Sequence, residues 1–303
     1  MIMNCAIIGS TKIAEVHAKH LINNGIKEIT FISRSQNKRK KNISNLKKIF
    51  SNQIKFFHSD IKILNKKKFN LICICSKTEI HDSHLKLVSN LKSKIIIEKP
   101  IISLLKFKNK YQRFLKNIYE KNKKIIVCYP YIYLAKDFKR YLTITKKLEN
   151  INFEFQTGGK SIYKKICINL MPHALSFFHS LFKKNFFKNI ININNKLVKK
   201  NSWQANFNLK KIKINLVFRE NYKKKTYLKL KVNDLILARK TFKNKVKFIN
   251  YIENYNTGKK KIIKNPMGSF YKDFFKNLNN NRYYKSNKFL TFELMRINYH
   301  FLN

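Results

Sequence analysis

The chain has 303 residues, 44% of them apolar, which is enough for one large domain or two modest ones. No stretch approaches the roughly 18 unbroken apolar residues of a membrane span, and the start, Met1-Ile2-Met3-Asn4-Cys5, has no basic segment ahead of an apolar one. A signal peptide and a membrane partner are therefore not expected. The formal net charge of +51 raises nucleic acid as a partner, yet the excess is mostly lysine spread along the whole chain. Asn, Ile, Phe and Tyr are inflated beside it, while Gly (6), Pro (4) and Trp (1) are scarce. That profile is compositional drift, and no nucleic-acid recognition module accompanies it. The charge should still draw in anionic substrates and cofactors.

The first third of the chain alternates between two periods. Asn4 to Ile8 reads as a buried strand. Lys12 to Asn24 has helical spacing, with Ile13, Val16, His17, His20 and Leu21 on one side. Glu28 to Ser33 is a second strand, Lys40 to Phe50 a helix, Gln53 to Phe57 a third strand and Asn70 to Cys75 a fourth. Ser83 to Leu91 is helical, Lys94 to Ile97 a fifth strand, Lys108 to Asn122 a basic amphipathic helix, and Lys124 to Tyr129 a sixth strand. Strands alternating with helices imply right-handed βαβ units and a parallel sheet.

After Pro130 the pattern changes. Ile132 to Leu148 reads as a helix, Asn152 to Gln156 as a strand and Met171 to Phe182 as an apolar helix with Pro172 in its first turn. Alternating strands follow at Ile212 to Phe218, Tyr227 to Val232, Leu235 to Ala238 and Val246 to Ile252. Helices close the chain at Ser269 to Leu278 and Phe289 to Tyr299. With crossover helices missing, this sheet should be mostly antiparallel and solvated on one face. The expected class is α/β: residues 1–130 form a Rossmann domain with a doubly wound parallel sheet. Residues 131–303 form an α+β domain with an open, mostly antiparallel sheet, suited to substrate binding and oligomerisation.

Five cysteines are an odd number, scattered through apolar runs. Cys73 and Cys75 stand two apart, but no second Cys or His pair completes a zinc spacing. Reduced core thiols in a cytoplasmic protein, with no metal, are the expectation.

Gly9-Ser10-Thr11-Lys12-Ile13-Ala14 follows the first strand and opens the first helix. That is where a dinucleotide fold places its G-x-G-x-x-G/A loop. Gly9 permits the tight turn, Ala14 lets the helix press on the sheet, and the helix N-terminus offers N–H groups to a pyrophosphate. Thr11 replaces the middle glycine; its side chain crowds the approach, though its hydroxyl can donate to phosphate. The second strand ends at Ser33-Arg34-Ser35, where an NAD-preferring site has a carboxylate for the ribose 2′-OH. A hydroxyl pair and a guanidinium suit a 2′-phosphate instead, so NADP is the favoured cofactor, with NAD the alternative.

Glu98-Lys99-Pro100 ends the fifth strand. A charged pair there lies at the carboxyl edge of a parallel sheet, where ligands bind. A lysine partly desolvated beside a cofactor can exchange a proton with a substrate hydroxyl, and Glu98 can orient it or line the nicotinamide pocket.

At these residues the chain resembles the Gfo/Idh/MocA family, the relatives of glucose–fructose oxidoreductase and inositol dehydrogenase. Ile74-Cys75-Ser76-Lys77-Thr78-Glu79-Ile80-His81 is similar to the family's I-A-T-P-N-x-x-H segment, and Ile95 to Pro100 to its V-x-x-E-K-P motif. The resemblance implies cofactor contacts at Cys75, Ser76, His81, Glu98 and Lys99, with Lys99 catalytic. The family's D-x-G-x-H pattern falls on Asn169-Leu170-Met171-Pro172-His173. His173 matches, while Asn169 and Met171 depart. Asn169 can fix an imidazole ring by hydrogen bonding, but it cannot stabilise an imidazolium by charge. His179 is a weaker candidate. The resemblance also implies a homodimer or homotetramer joined through the open sheet.

The expected reaction is reversible hydride transfer between the nicotinamide and a secondary alcohol or carbonyl of a sugar, polyol or sugar derivative, with Lys99 and His173 handling the hydroxyl proton. An imine or tetrapyrrole-type reductase of the same fold would suit Asn169, and a non-catalytic nucleotide-binding relative would suit the departures at Thr11, Lys77, Asn169 and Met171.

Overall fold

A computed structural model describes residues 3–50, 54–107, 110–142, 148–182, 186–221, 223, 226–243 and 248–302. Gln53, Lys108, Asn109, residues 143–147, Val246 and Lys247, which the expected elements included, lie outside the described residues. Contacts divide the chain into two compact units. One holds Met1–Cys128 with Phe270–Phe292; the other holds Tyr129–Ser269 with Glu293–Asn303. The return of 270–292 to the first unit had no signal in the sequence.

In the first unit, β1 (Asn4–Ile8), β2 (Glu28–Ile32), β3 (Lys55–Ser59), β4 (Leu71–Ile74), β5 (Lys94–Ile97) and β6 (Ile125–Val127) form one sheet in the order β3-β2-β1-β4-β5-β6. Every pairing is parallel. This is the doubly wound order, whose switch point lies between β1 and β4. Strands β4 and β6 are buried throughout, as a sheet covered on both faces requires. Edge strand β3, with exposed Lys55, Phe57 and His58, is not.

The helices of this unit are α1 (Lys12–Ile22), α2 (Gln36–Phe50), α3 (Ile63–Lys66), α4 (His81–Val88), α5 (Leu104–Phe107) and α6 (Tyr111–Lys121). Helix α1 buries Ala14, His17, Ala18 and Leu21. Its contact stripe thus runs through two alanines, and Ile13 and Val16 are only half-buried. Helix α2 starts four residues earlier than its apolar spacing suggests. Ser35 Oγ accepts from the Lys38 backbone N–H at 3.4 Å, which caps the helix there.

The second unit contains α7 (Tyr131–Leu142), β7 (Asn150–Thr157), α8 (Lys164–Phe182), then β8 (Ile190–Lys199), β9 (Ser202–Leu209), β10 (Ile212–Glu220), β11 (Tyr227–Val232), β12 (Leu235–Lys243), β13 (Phe248–Asn254) and β14 (Lys260–Ile263). The sheet order is β14-β13-β12-β11-β7-β10-β9-β8. All neighbours are antiparallel except β7 and β10, which run parallel. Alternation is strict along β9, whose Trp203, Ala205, Phe207 and Leu209 are buried while the residues between them are half-buried.

Helix α8 corrects the sequence reading. It begins at Lys164, so Pro172 sits in its interior rather than in its first turn. Proline deletes one helical hydrogen bond, the one to the Ile168 carbonyl. The preceding turns survive because Ile166, Cys167, Ile168 and Leu170 are all buried along them. Asn169 and His173 are therefore one turn apart on the same face of one helix. The remaining helices, α9 (Pro266–Lys276) and α10 (Asn281–Leu302), are longer than expected and are shared between the two units. Among the described residues, no helix is long and apolar enough to cross a membrane.

Candidate active site

The carboxyl edge of the six-stranded sheet is built by main-chain bonds that run one residue past the strands. Gly9 N–H donates to Ile32 O at 2.8 Å, Cys75 N–H to Ile8 O at 2.8 Å, Glu98 N–H to Ile74 O at 3.0 Å and Cys128 N–H to Ile97 O at 2.9 Å. Gly9, Cys75, Glu98 and Cys128 thus stand side by side beyond β1, β4, β5 and β6. Three of the expected cofactor residues meet in this row although they are far apart in sequence.

Gly9 has φ +123°, a conformation that L side chains rarely adopt, and a Cβ there would lie 2.7 Å from the Cys75 carbonyl oxygen. The chain turns from β1 into α1 with Ser10 half-buried, Thr11 and Lys12 exposed and Ile13 half-buried. The Thr11 hydroxyl donates to Cys75 O at 3.4 Å, so it braces the loop against β4. The amides at the start of α1 have no helical acceptor, and the eleven-residue helix adds its positive dipole end. This loop fits a pyrophosphate. At the end of β2, Ser33 Oγ donates to Ser35 O at 3.2 Å, leaving Arg34 exposed between them.

On the other side of the switch point, His81 is buried and spans two loops. Its Nε2 lies 3.0 Å from Ser76 O and its Nδ1 2.9 Å from Pro100 O, tying the loop after β4 to the Glu98-Lys99-Pro100 turn. Ser76 Oγ lies 2.9 Å from His84 Nδ1. Burial holds the His81 imidazole below its ordinary pKa of 6.5, while the two carbonyls and the Glu98 charge pull it back up. A folded-state pKa held below the unfolded one gives a defined sign. The stability contributed is fully present above pH 6.5 and is lost as pH falls below it. Between about pH 7.5 and about pH 5.5, wild type should lose more stability than His81→Gln, because only wild type carries this imidazole. Urea unfolding at the two pH values checks this, and parallel slopes would contradict it.

Glu98 is the centre of the site. His17 Nε2–H donates to Glu98 Oε1 at 2.6 Å, and the Lys99 amide donates to Oε2 at 3.3 Å. Burial would raise the Glu98 pKa, but the His17 hydrogen bond and charge, with Lys99 beside it, hold the carboxyl below its ordinary value. On its other ring nitrogen, His17 Nδ1 lies 2.5 Å from Tyr271 Oη and 3.3 Å from Cys73 Sγ. Lys99 is half-buried, and its peptide bond to Pro100 is cis.

The candidate residues of the second unit form their own cluster. Half-buried His173 packs its ring against Tyr131, with centroids 4.3 Å apart, and edge-on against Phe155 at 5.4 Å. One turn earlier, Asn169 Nδ2 donates to Ser161 Oγ at 2.6 Å. Arg239 reaches the same area, donating to Tyr131 Oη at 3.3 Å and to Asn250 Oδ1 at 2.8 Å. His179 stacks on Phe187 at 5.0 Å, a packing role.

Residues 3–129 match the family model for Gfo/Idh/MocA, described as an oxidoreductase family with an NAD-binding Rossmann fold. The N-terminal domain belongs to the Gfo/Idh/MocA family. It is therefore the NAD(P)-binding domain of an oxidoreductase. Comparison with curated protein sequences gives no match. Among solved structures, the chain is similar to a 3-ketoreductase from Actinomadura kijaniata, in complex with TDP-benzene and NADP. The TM-score is 0.72 and the identity 9%, over 98% of this chain and 96% of that one. It is similar as well to the WlbA dehydrogenase from Thermus thermophilus in complex with NAD and UDP-GlcNAcA (TM-score 0.67, 13% identity, 100% and 95% of the two chains). A third is a myo-inositol dehydrogenase from Corynebacterium glutamicum (TM-score 0.65, 12% identity, 99% and 96%). At these identities the likeness is one of fold, and it extends through both units.

Two members of the Gfo/Idh/MocA domain's site had no role in the sequence reading. His17 was placed only on the apolar side of α1, yet it is the partner of Glu98. Tyr271 is separated from His17 by 254 residues, and no spacing connects them. The one usable signal was a histidine in a helix stripe otherwise made of alanine and leucine, since a buried imidazole needs a polar partner.

Proposed function

We propose that the chain is an NADP-preferring oxidoreductase that interconverts a secondary alcohol and a carbonyl on a sugar, polyol or sugar derivative. The observation that carries this reading is the row Gly9, Cys75, Glu98 at the switch point of a Gfo/Idh/MocA domain, with Lys99 next to Glu98. Gly9, Ser10, Thr11, Lys12 and Ile13 would hold the pyrophosphate, and Ser33, Arg34 and Ser35 the 2′-phosphate. Cys75, Ser76 and His81 would line the nicotinamide side. When bound, the nicotinamide supplies or accepts the hydride.

The chain's own work is positioning and proton handling. Lys99 exchanges a proton with the substrate oxygen, and Glu98, fixed by His17, keeps a compensating negative charge beside it. His173 is the second proton-handling group. Asn169, held by Ser161, positions without supplying charge. A sugar-nucleotide substrate is consistent with the ligands carried by structures of the same fold. The same reading includes a cytosolic setting and a homodimer or homotetramer joined through the open sheet of the second unit.

The NADP preference rests on Arg34. A charge-assisted hydrogen bond contributes about 1.5–3 kcal/mol, so Arg34→Ala should weaken NADPH binding roughly 10- to 100-fold and leave NADH unchanged. Titrations of both proteins with both cofactors check this. Equal affinities for the two cofactors, unaltered by the substitution, would contradict it. Turnover is tested by following reduced-cofactor absorbance against a panel of sugar nucleotides, polyols and keto-sugars. Cofactor binding without turnover on any of them would favour a non-catalytic relative.

A further inference from the structure

The geometry points to a structural zinc site in the first unit, formed by His17 Nδ1, Cys73 Sγ and Cys75 Sγ. These three donors lie within 4.8 Å of one another. The two sulfurs are 3.5 Å apart, and Cys73 Sγ is 3.3 Å from His17 Nδ1. Zinc bonds of about 2.3 Å to sulfur and about 2.0–2.1 Å to nitrogen give a tetrahedron whose edges are roughly 3.4–3.8 Å. These two separations are close to such edges before any metal has drawn the donors in.

Three features make this more than three neighbouring residues. First, Cys73 and Cys75 stand two apart on extended chain, so both sulfurs fall on one side of it. Second, the ring nitrogen that does not face the sulfurs, Nε2, donates to the Glu98 carboxylate at 2.6 Å. A carboxylate on the far nitrogen is how metal-binding histidines are usually oriented and made more basic, and here it turns Nδ1 towards the thiols. Third, Tyr271 Oη lies beside these donors as a candidate fourth ligand, 3.6 Å from Cys73 Sγ. It is 2.5 Å from Nδ1, so it would retreat by roughly an ångström to reach a tetrahedral edge. No zinc spacing is visible along the chain because the third donor comes from α1, 56 residues before Cys73.

All three ligands are wholly buried, so no substrate reaches the ion and its role is to clamp. It joins α1, which opens at the phosphate loop, to the end of β4 beside Gly9. Binding is balanced by proton release: one Zn²⁺ displaces two of the three protons that His17, Cys73 and Cys75 hold between them, leaving two thiolates and a neutral imidazole whose remaining proton stays on Nε2. Soft thiolates favour zinc over magnesium or calcium. The second possible donor set, His17, Glu98 and Cys128, is less suited because Glu98 already accepts from the histidine.

The test is metal analysis of the full chain, purified under reducing conditions, followed by chelator treatment and titration with Co²⁺. Wild type should carry one zinc per chain. Its cobalt form should show thiolate-to-cobalt charge transfer and tetrahedral ligand-field bands. Cys75→Ala should lose about half of the charge-transfer intensity, Cys73→Ser with Cys75→Ala all of it, and Cys167→Ala none. Glu98→Gln should weaken zinc binding about 10- to 100-fold. A wild-type protein with a native circular-dichroism spectrum, no zinc and no charge-transfer band at stoichiometric Co²⁺ would overturn the site. So would a band that survives in the double variant. NADPH titration is run alongside. Loss of cofactor binding with the cobalt spectrum intact would count against the proposed function and not against the metal site.

Discussion

Lys99→Ala should lower turnover by about 10²- to 10⁴-fold, the range that a positioned general acid or base supplies, while NADPH affinity changes little. The side chain follows β5 at the carboxyl edge of the sheet and is half-buried beside the Glu98 carboxyl. Alanine removes the ammonium group that passes a proton to a substrate oxygen in this account and takes nothing from the phosphate loop. Arginine at the same position should not rescue the rate, because a guanidinium keeps its proton at any working pH. The comparison is steady-state turnover of wild type, Lys99→Ala and Lys99→Arg on whichever substrate the panel identifies, with NADPH titrated into each. Full turnover in Lys99→Ala would remove this lysine from the chemistry. Lost cofactor binding would mean it holds NADPH rather than handles a proton.

Gly9→Ala should cost about 1–3 kcal/mol in stability from the backbone conformation alone. The new methyl would also sit 2.7 Å from the Cys75 carbonyl oxygen and 2.8 Å from its carbon. Those atoms belong to main chain bonded into the sheet, through Cys75 N–H to Ile8 O, so they cannot swing aside as a flexible side chain would. Either β4 moves or the loop does, and both displace the start of α1. NADPH affinity should fall as well, by roughly tenfold for each 1.4 kcal/mol of pyrophosphate hydrogen bonding lost with the displaced amides. Denaturant unfolding and cofactor titration of the same preparation check both effects. Wild-type stability together with wild-type affinity would show that this turn is not what holds the pyrophosphate.

Much of the first unit could be read from the chain because β1, β2, β4, β5 and β6 are short apolar runs punctuated by amphipathic helices, and that alternation admits few folds. The loop at Gly9 and the Glu98-Lys99-Pro100 turn were legible for the same reason: strand ends are where a doubly wound sheet collects its functional residues. The second unit was harder. Strands β8 and β9 went unread because their outward positions are filled with asparagine and glutamine, as in Gln204, Asn206 and Asn208, residue types that read as turns. Strand β8 is further broken by two irregularities in its register. In α8, Pro172 masqueraded as a helix start because local rules place proline in first turns, and only tertiary burial of the preceding residues overrode them. The contacts of His17 with Glu98, Cys73 and Tyr271 join three distant stretches of chain, and no local pattern encodes such a meeting.

The reading as an oxidoreductase is tested most directly by following the hydride itself. NADPH deuterated at the transferring C4 position is incubated with the keto form of the best substrate, and the product is analysed by mass spectrometry and NMR. The account predicts one deuterium per product molecule, bound to the carbon that was the carbonyl, at a rate that collapses in Lys99→Ala. Product without deuterium, or a label that transfers equally well without Lys99, would contradict it.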